Sequence, residues 1–190
     1  GFLNGVIIVK GKIPAFLTTL ATMNILRGLA QTITSGRTVS IKIKGVTDFF
    51  GNGMVFGVIP TPVIIMLVFF IIGAVVLKYT PFGRSVISVG ENPDAAKLSG
   101  LNVEQTKILI FTICGFCAAF AGVVQASRMS SGQPSSGTDL SLQALAAVYI
   151  GGTFKGSMLN TLAGALAWGF VNNGLNLLGV NAYWQKVALG

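Results

Sequence analysis

Long apolar runs separated by short polar connections dominate the pattern of the chain. One run extends from Pro60 to Leu77 and a second from Ile108 to Ala126, and neither contains a charged residue. A third extends from about Met158 to Leu178. Each run has close to the roughly 20 residues that an α-helix needs to cross the hydrocarbon core of a bilayer. The pattern therefore predicts three membrane-spanning helices.

Two further apolar stretches are less regular. The stretch from Ile13 to Ile33 contains Arg27, and a cation inside a membrane is costly unless it pairs, reaches the surface or faces water. We therefore expect this segment either to be broken or to line protein rather than lipid. The stretch from Leu140 to Gly152 has about the length of half a span, so it fits a re-entrant helix better than a crossing. The predicted fold class is all-α: a polytopic transmembrane helical bundle with broken or re-entrant helices.

Composition supports a membrane protein without catalytic chemistry of its own. Hydrophobic residues make up 52% of the 190 residues and charged residues 9%, against about 25% charged residues in soluble domains. The chain has no histidine and only five carboxylates, so hydrolytic triads and histidine-based metal sites lack their parts. We expect no enzymatic activity, no cofactor and no metal site. The Cys114-Gly115-Phe116-Cys117 motif is interpreted as small buried hydrophobes within a helix.

The basic residues give a prediction of sidedness. They are scattered singly between apolar runs, which argues against nucleic-acid binding and is typical of charges that orient membrane spans. We predict that residues 80–107 are cytoplasmic. This prediction places Lys10, Lys12, Lys78, Arg84, Lys97 and Lys107 on one side, and Arg37, Lys42, Lys44 and Arg128 on the other.

Small and polar residues inside the predicted spans indicate how helices pack. Small or short side chains recur at every fourth position in the last span, a spacing that lets helix backbones approach closely. They are Thr161, Ala165, Gly169 and Asn173. An unpaired amide in hydrocarbon costs several kcal/mol. The asparagines within predicted spans are therefore expected to form interhelix hydrogen bonds or to line a translocation path; they are Asn24, Asn172, Asn173 and Asn176.

A short charged segment, GENPDAAKLSGLNVEQTK at residues 90–107, interrupts the apolar pattern. Asn92 has the character of a helix N-cap, Pro93 suits the first helical position, and Asp94 complements the positive end of the helix dipole. Gly100 is placed to end the helix in left-handed geometry. A helix of about seven residues is predicted from Pro93 to Ser99, too short to be stable alone in water, so it must dock on something. The apolar residues expected to dock are Ala95, Ala96 and Leu98.

A second helix start follows directly. Asn102 can cap a new helix, with Gln105 in the reciprocal capping-box position. That helix is expected to continue into the span from Ile108. The segment is therefore predicted to form a short transverse helix followed by a sharp turn into the membrane, an arrangement suited to passing motion from a partner to a span.

The order of several short motifs along the chain closely resembles the membrane permease subunits of bacterial ABC importers for ribose and similar monosaccharides. The motifs are Lys12 to Phe16, Arg27-Gly28, Thr80 to Arg84, Gly90 to Val103, Ser130 to Pro134, Ala144 to Val148, Gly151 to Thr153 and Asn172 to Asn176. One departure from the family pattern is Phe154 to Met158, where such permeases usually continue with glycines.

The resemblance implies an inner-membrane, multi-pass subunit that binds no nucleotide itself. Residues 1–190 then form part of a transmembrane permease domain whose early spans and C-terminal end are missing, with residues 80–107 as its cytoplasmic coupling loop. It implies a second permease copy, expected to give a homodimer, a separate ABC ATPase and a periplasmic substrate-binding protein. The ATPase coupling element maps onto Asn92, Pro93, Asp94, Ala95, Ala96, Lys97, Leu98, Ser99 and Gly100. The sequence contains no GxxxxGK[ST] phosphate-binding loop, in agreement with this reading.

Two alternatives to a monosaccharide permease stay open at the level of sequence. The first is a permease of the related branched-chain amino-acid importers, which would share the architecture. The second is an ion-coupled secondary transporter, or a membrane scaffold with no transport role. The predicted spans contain no carboxylate, which favours a neutral solute over a cation or a coupled proton.

Overall fold

The computed structural model describes residues 1–41, 45, 48–55, 59–152, 156–181, 184 and 187. Helices dominate this part of the chain, so the all-α expectation is confirmed. The helices are α1 (Phe2–Gly11), α2 (Ala15–Thr34), α3 (Thr61–Tyr79), α4 (Pro81–Glu91), α5 (Pro93–Leu98), α6 (Val103–Arg128), α7 (Leu140–Ile150) and α8 (Met158–Leu177). A π-helical turn (Asp48–Asn52) and the two-residue strands β1 (Val39–Ser40), β2 (Met54–Val55), β3 (Ile59–Pro60) and β4 (Ser131–Gly132) complete the elements. The described residues do not include Lys42 and Lys44 of the sidedness prediction. They also do not include Phe154 and Lys155, where the sequence departs from the family pattern.

Two of the described helices are long and apolar enough, by length and composition, to cross a membrane. They are α3 and α6, with mean hydropathies of 2.5 and 2.2, and they contain the two uncharged runs that the sequence analysis singled out. The third predicted span is also helical, as α8, but it does not pass the same test. Its asparagines lower its mean hydropathy although its length of 20 residues is sufficient.

The irregular stretch near the N-terminus forms one continuous helix, which excludes the first of the two alternatives, a broken segment. The other alternative, that it lines protein rather than lipid, stays a prediction. The interruption lies before α2, where Lys12 adopts a left-handed conformation with φ of 50° and Pro14 takes the N-cap position. Proline is tolerated at this end of a helix because the first N–H groups have no intrahelical acceptor. Thr18 and Thr22 donate their hydroxyl protons to backbone carbonyls one turn earlier, which satisfies both hydroxyls inside the helix.

The described residues divide into two compact units, residues 1–68 with 84–136, and residues 69–83 with 137–190. In the first unit α1 packs antiparallel to α6 through glycines one helical turn apart. A side chain at Gly5 would lie 2.9 Å from the Ile108 Cα, and Gly1 approaches the backbone of Phe111 and Gly115. Backbones that approach this closely make extensive dispersion contacts, which associate helices where lipid removes the hydrophobic driving force.

The C-terminal half of α6 is covered by the connection between α2 and α3. The π-helical turn places Gly51 against the backbone of Ser127, which is 1% exposed. Phe50 packs edge-to-face on Phe120 of α6, with ring centroids 5.9 Å apart. Strands β1 and β4 then pair antiparallel and join this connection to the segment that follows α6.

Five of the basic residues in the sidedness prediction lie near one end of α6 or the other. Lys12, Lys97 and Lys107 border one cavity at its N-terminal end. Arg128 lies at its C-terminal end, and Arg37 shortly precedes the strand that pairs there. The assignment of one end to the cytoplasm stays a prediction.

In the second unit α7 and α8 form a tight helical hairpin. Gly164 of α8 lies against the carbonyl oxygen of Ala147, and a side chain added at Gly164 would lie 2.6 Å from the Gly151 nitrogen. Helix α7 has 11 residues, in agreement with the predicted half-span length, and its chain reverses at Gly152, whose φ is 62°. The contact uses the face of α8 that lies one residue before the predicted stripe. Gly164 makes the close approach, whereas a side chain added at Gly169 would meet no atom of a neighbouring element within 4 Å among the described residues.

Candidate functional site

The short helix α5 begins as the sequence predicted. The Asn92 side-chain oxygen accepts hydrogen bonds from the backbone N–H groups of Asp94 and Ala95, both at 3.0 Å. These bonds satisfy two of the N–H groups that a helix start leaves without acceptors. Asp94 lies in the first turn and Lys97 in the last, so both charges complement the helix dipole.

The end of α5 forms a Schellman motif. The Leu101 N–H donates to the Ala96 carbonyl at 3.1 Å and the Gly100 N–H donates to the Lys97 carbonyl at 3.0 Å. Gly100 has the left-handed φ of 81° that this motif requires at that position, as predicted. The Ser99 hydroxyl donates to the Ala95 carbonyl at 3.0 Å. A helix of six residues is therefore closed at both ends by its own side chains and backbone.

The apolar residues of α5 do not form one docking face, which corrects the sequence interpretation. Ala96 is 4% exposed, whereas Leu98 is 91% exposed and Ala95 is also exposed. Residues two positions apart on an α-helix point to nearly opposite sides, because each residue turns the helix by about 100°. Ala96 therefore anchors α5 to its own chain, and Leu98 is free for contact with a partner.

The helix before α5 was missed by the sequence analysis, which treated the connection between Lys78 and α5 only as a charged loop. The Thr80 hydroxyl accepts a hydrogen bond from the Gly83 N–H at 3.1 Å, so Thr80 caps α4 and Pro81 takes the first helical position. Gly83 lies against the carbonyl of Val76, where a side chain would clash. Val89 on this helix is 5% exposed. The Thr-Pro cap, with apolar residues at positions 82, 86 and 89, was the sequence signal.

The N-terminal end of α6 follows α5 after a connection of four residues. The Asn102 side-chain oxygen accepts from the Gln105 N–H at 3.0 Å, which confirms the second predicted cap. The Thr106 hydroxyl donates to the Asn102 carbonyl at 2.8 Å, and Thr106 is 7% exposed. Helix α6 then continues without interruption for 26 residues, from this cap through the apolar run.

Replacing Asn92 with Ala tests whether this cap holds α5 in place. We expect the change to cost about 1 kcal/mol of local stability, since two N–H groups lose their acceptor. Hydrogen exchange of the Asp94 and Ala95 amides should become several-fold faster, while exchange within α6 stays unchanged. Asn92→Asp is the matched control because aspartate caps equally well. Unchanged exchange in the Ala variant would contradict the assigned cap.

The asparagines predicted for a path or for interhelix contacts are divided between the two units. Asn24 is exposed on α2 of the first unit, whereas the other three lie on α8 of the second. Asn173 and Asn176 are exposed and Asn172 is half-buried. Asn172 lies two helical turns after Gly164, on the same face of α8 as the contact with α7. A role in a path stays a prediction for all four.

Trp168 was not among the residues that the sequence analysis singled out. Its indole N–H, one turn before Asn172, is buried without a hydrogen-bond partner among the described residues.

The two cysteines differ from the sequence interpretation. Cys114 and Cys117 are exposed on α6, not buried as interpreted, because α6 contacts α1 through Phe111 and Gly115 instead. In the described ranges no group of three His, Cys, Asp or Glu side chains is placed to hold a metal ion.

Comparison with known proteins identifies relatives along the whole chain. The ribose import permease protein of Haemophilus influenzae is 44% identical over 99% of this chain and 60% of its own length. The L-arabinose transport system permease protein of Escherichia coli is 40% identical over 98% of this chain and 58% of its own length. A probable ABC transporter permease protein of Escherichia coli is 39% identical over 94% of this chain and 54% of its own length.

The chain thus spans about three fifths of the length of the ribose and L-arabinose relatives. No solved structure matches it. The resemblance to ribose and monosaccharide permeases, drawn from short motifs, is confirmed by these identities. A family model described as the branched-chain amino acid transport system/permease component matches residues 1–190. The chain therefore belongs to this family of transport-system permease components.

Proposed function

We propose that the chain is part of the transmembrane subunit of an ATP-driven importer that carries a ribose-like monosaccharide across the bacterial inner membrane. The relatives named for ribose and L-arabinose support the substrate class, and the relative named as an ABC transporter permease supports the energy source. Two apolar helices of spanning length support a place in the membrane. ATP is hydrolysed by a separate ATPase chain, and this chain needs no cofactor.

The observation that carries this proposal is the exposed apolar tip of α5. Leu98 is 91% exposed and is the one large apolar side chain of α5. A leucine that makes so little contact with its own chain, on a helix fixed at both ends, suits insertion into a groove of a partner. We assign that groove to the ATPase and α5 to the coupling element.

The connection between α5 and α6 suits the transmission of motion. Ala96 is buried and the Schellman motif fixes the direction in which the chain leaves α5, so a force on Leu98 is not absorbed within the short helix. It passes instead to the capped start of α6. Because α6 is a single helix of 26 residues, or about 39 Å, a tilt at one end moves the other. Closure of the two ATPase subunits thereby tilts α6 and opens the middle of the membrane to one side and then to the other.

The solute is proposed to be neutral and rich in hydroxyl groups. The predicted spans contain no carboxylate, so a cationic solute or a coupled proton would find no partner there. A periplasmic binding protein delivers the sugar, and a second permease copy completes the pathway.

Reconstitution tests the proposal directly. The full-length permease, its ATPase and its binding protein are placed in proteoliposomes, and uptake of radiolabelled ribose is measured with ATP supplied to the ATPase. We expect uptake at least tenfold above that obtained with a non-hydrolysable ATP analogue. Uptake that persists with an inactivated ATPase and follows an ion gradient instead would contradict the ATP-driven assignment and favour a secondary transporter.

The second candidate is import of branched-chain amino acids, which the description of the matching family favours. The two candidates share the coupling element and differ only in the delivered solute. Titration of the partner binding protein with ribose and with leucine separates them. Binding of leucine without binding of any sugar would exclude the monosaccharide and leave the coupling role of α5 intact.

A further inference from the structure

A cavity lies at the N-terminal end of α6, within the first unit. Its walls come from the end of α1, the turn before α2, helix α5 and the first turns of α6. Its volume is ≈ 1040 Å³, at the upper end of the roughly 300–1,000 Å³ that small-ligand sites usually occupy. The comparisons assign no role to this cavity.

The charge of the cavity favours an anion. Lys12, Lys97 and Lys107 line it from three different elements, against two carboxylates, Asp94 and Glu104. Among the described residues neither carboxylate forms an ion pair with any of the three lysines. The cavity also borders the first turn of α6, a helix of 26 residues whose N-terminal dipole favours negative charge. Three lysines from separate elements thus line one space.

The rest of the lining is apolar, which distinguishes the site from one for a free anion. Ile8, Ile13, Leu101 and Phe111 lie alongside the lysines. Lys107 directly precedes Ile108, the first residue of the uncharged run in α6. A ligand here meets both basic and apolar residues. An anionic phospholipid has this combination, and basic pockets between helices at a membrane surface bind such head groups.

We propose that this cavity binds the phosphate head group of an anionic phospholipid. The bound lipid bridges the turn before α2, through Lys12, and helix α5, through Lys97. It therefore holds α5 against the membrane-embedded part of the first unit. The inference needs the chain to lie in a membrane but does not depend on which solute is carried.

Lipid binding to the purified full-length permease tests the proposal. The protein is delipidated in detergent and titrated with phosphatidylglycerol or phosphatidylcholine, and bound lipid is counted by native mass spectrometry. We expect phosphatidylglycerol to bind roughly tenfold to a hundredfold more tightly. The triple variant Lys12→Gln, Lys97→Gln, Lys107→Gln should lose this preference, and the corresponding triple Arg variant should keep it because its charge is unchanged.

The matched control removes three charges elsewhere on the predicted cytoplasmic side, as Lys10→Gln, Lys78→Gln, Arg84→Gln. It should keep the preference to within about threefold, since none of these residues lines the cavity. Equal binding of the two lipids by the unchanged protein would overturn the proposal, as would equal losses in the two Gln variants. Glycerol phosphate binding as tightly as the lipid would assign the site to a soluble anion and overturn the lipid assignment. Because no sugar or ATP is present, failure here leaves the transport proposal untouched.

Discussion

Replacing Leu98 with Asp is expected to abolish ATP-driven uptake without reducing the amount of folded permease. Leu98 is 91% exposed, so within its own chain the change should alter stability by no more than about 0.5 kcal/mol. In an ATPase groove the new carboxylate would be buried without a partner, which costs about 3–5 kcal/mol. We expect permease-dependent stimulation of the ATPase to fall more than tenfold in proteoliposomes.

Two variants separate docking from folding at this helix. Leu98→Met keeps the apolar volume and should retain most of the stimulation. Ala96→Asp places the same charge on the opposite, buried face of α5 and should lower the yield of folded protein instead. Full stimulation by the Leu98→Asp variant would exclude Leu98 from the coupling contact, whatever the solute.

The second large effect is expected from Gly164→Ala in the α7–α8 hairpin. The added methyl group would meet the Ala147 carbonyl oxygen and would lie 2.6 Å from the Gly151 nitrogen. Backbone atoms cannot rotate away as a flexible side chain does, so the two helices must separate. We expect a loss of about 1–3 kcal/mol, of the size that overpacking causes. The midpoint of thermal unfolding in detergent should fall by several degrees, and uptake should fall with it.

Gly169→Ala on the same helix is the matched control. Gly169 has no heavy atom within 4 Å of an added methyl group, so the change brings only the better helix propensity of alanine. Its unfolding midpoint should stay the same or rise. An equal loss in the two variants would mean that the close approach of α7 and α8 at Gly164 does not stabilise the protein.

The charged segment was the part of the chain most fully predictable from sequence. Its caps at Asn92 and Asn102 and its terminator at Gly100 act on neighbouring residues of the same segment, so their signals are complete within a few positions. Helix α4 has equally local signals at Thr80 and Pro81, so it too was predictable from the sequence. The burial of Ala96 had no such signal, because composition alone does not show which side of a helix meets the chain.

The sequence predicted that α8 packs through small residues, but not which face of α8 makes the contact. A repeat of small residues along α8 indicated the stripe through Gly169, whereas the stripe through Gly164, one residue earlier, also contains the large side chain of Trp168. The chain uses Gly164, because the turn at Gly151 and Gly152 brings α7 against that face. A shift of one residue rotates the contact by about 100°, which moves Trp168 and Asn172 toward the packed side.

The membrane class, the apolar runs, the caps of α5 and α6 and the family were predictable from the sequence, because each depends on composition or on residues close in the chain. Three features became known only from the folded structure: Leu98 and Ala96 face opposite ways, Gly164 makes the hairpin contact, and three distant lysines border one cavity. These depend on residues far apart in the chain that become neighbours only when the helices pack.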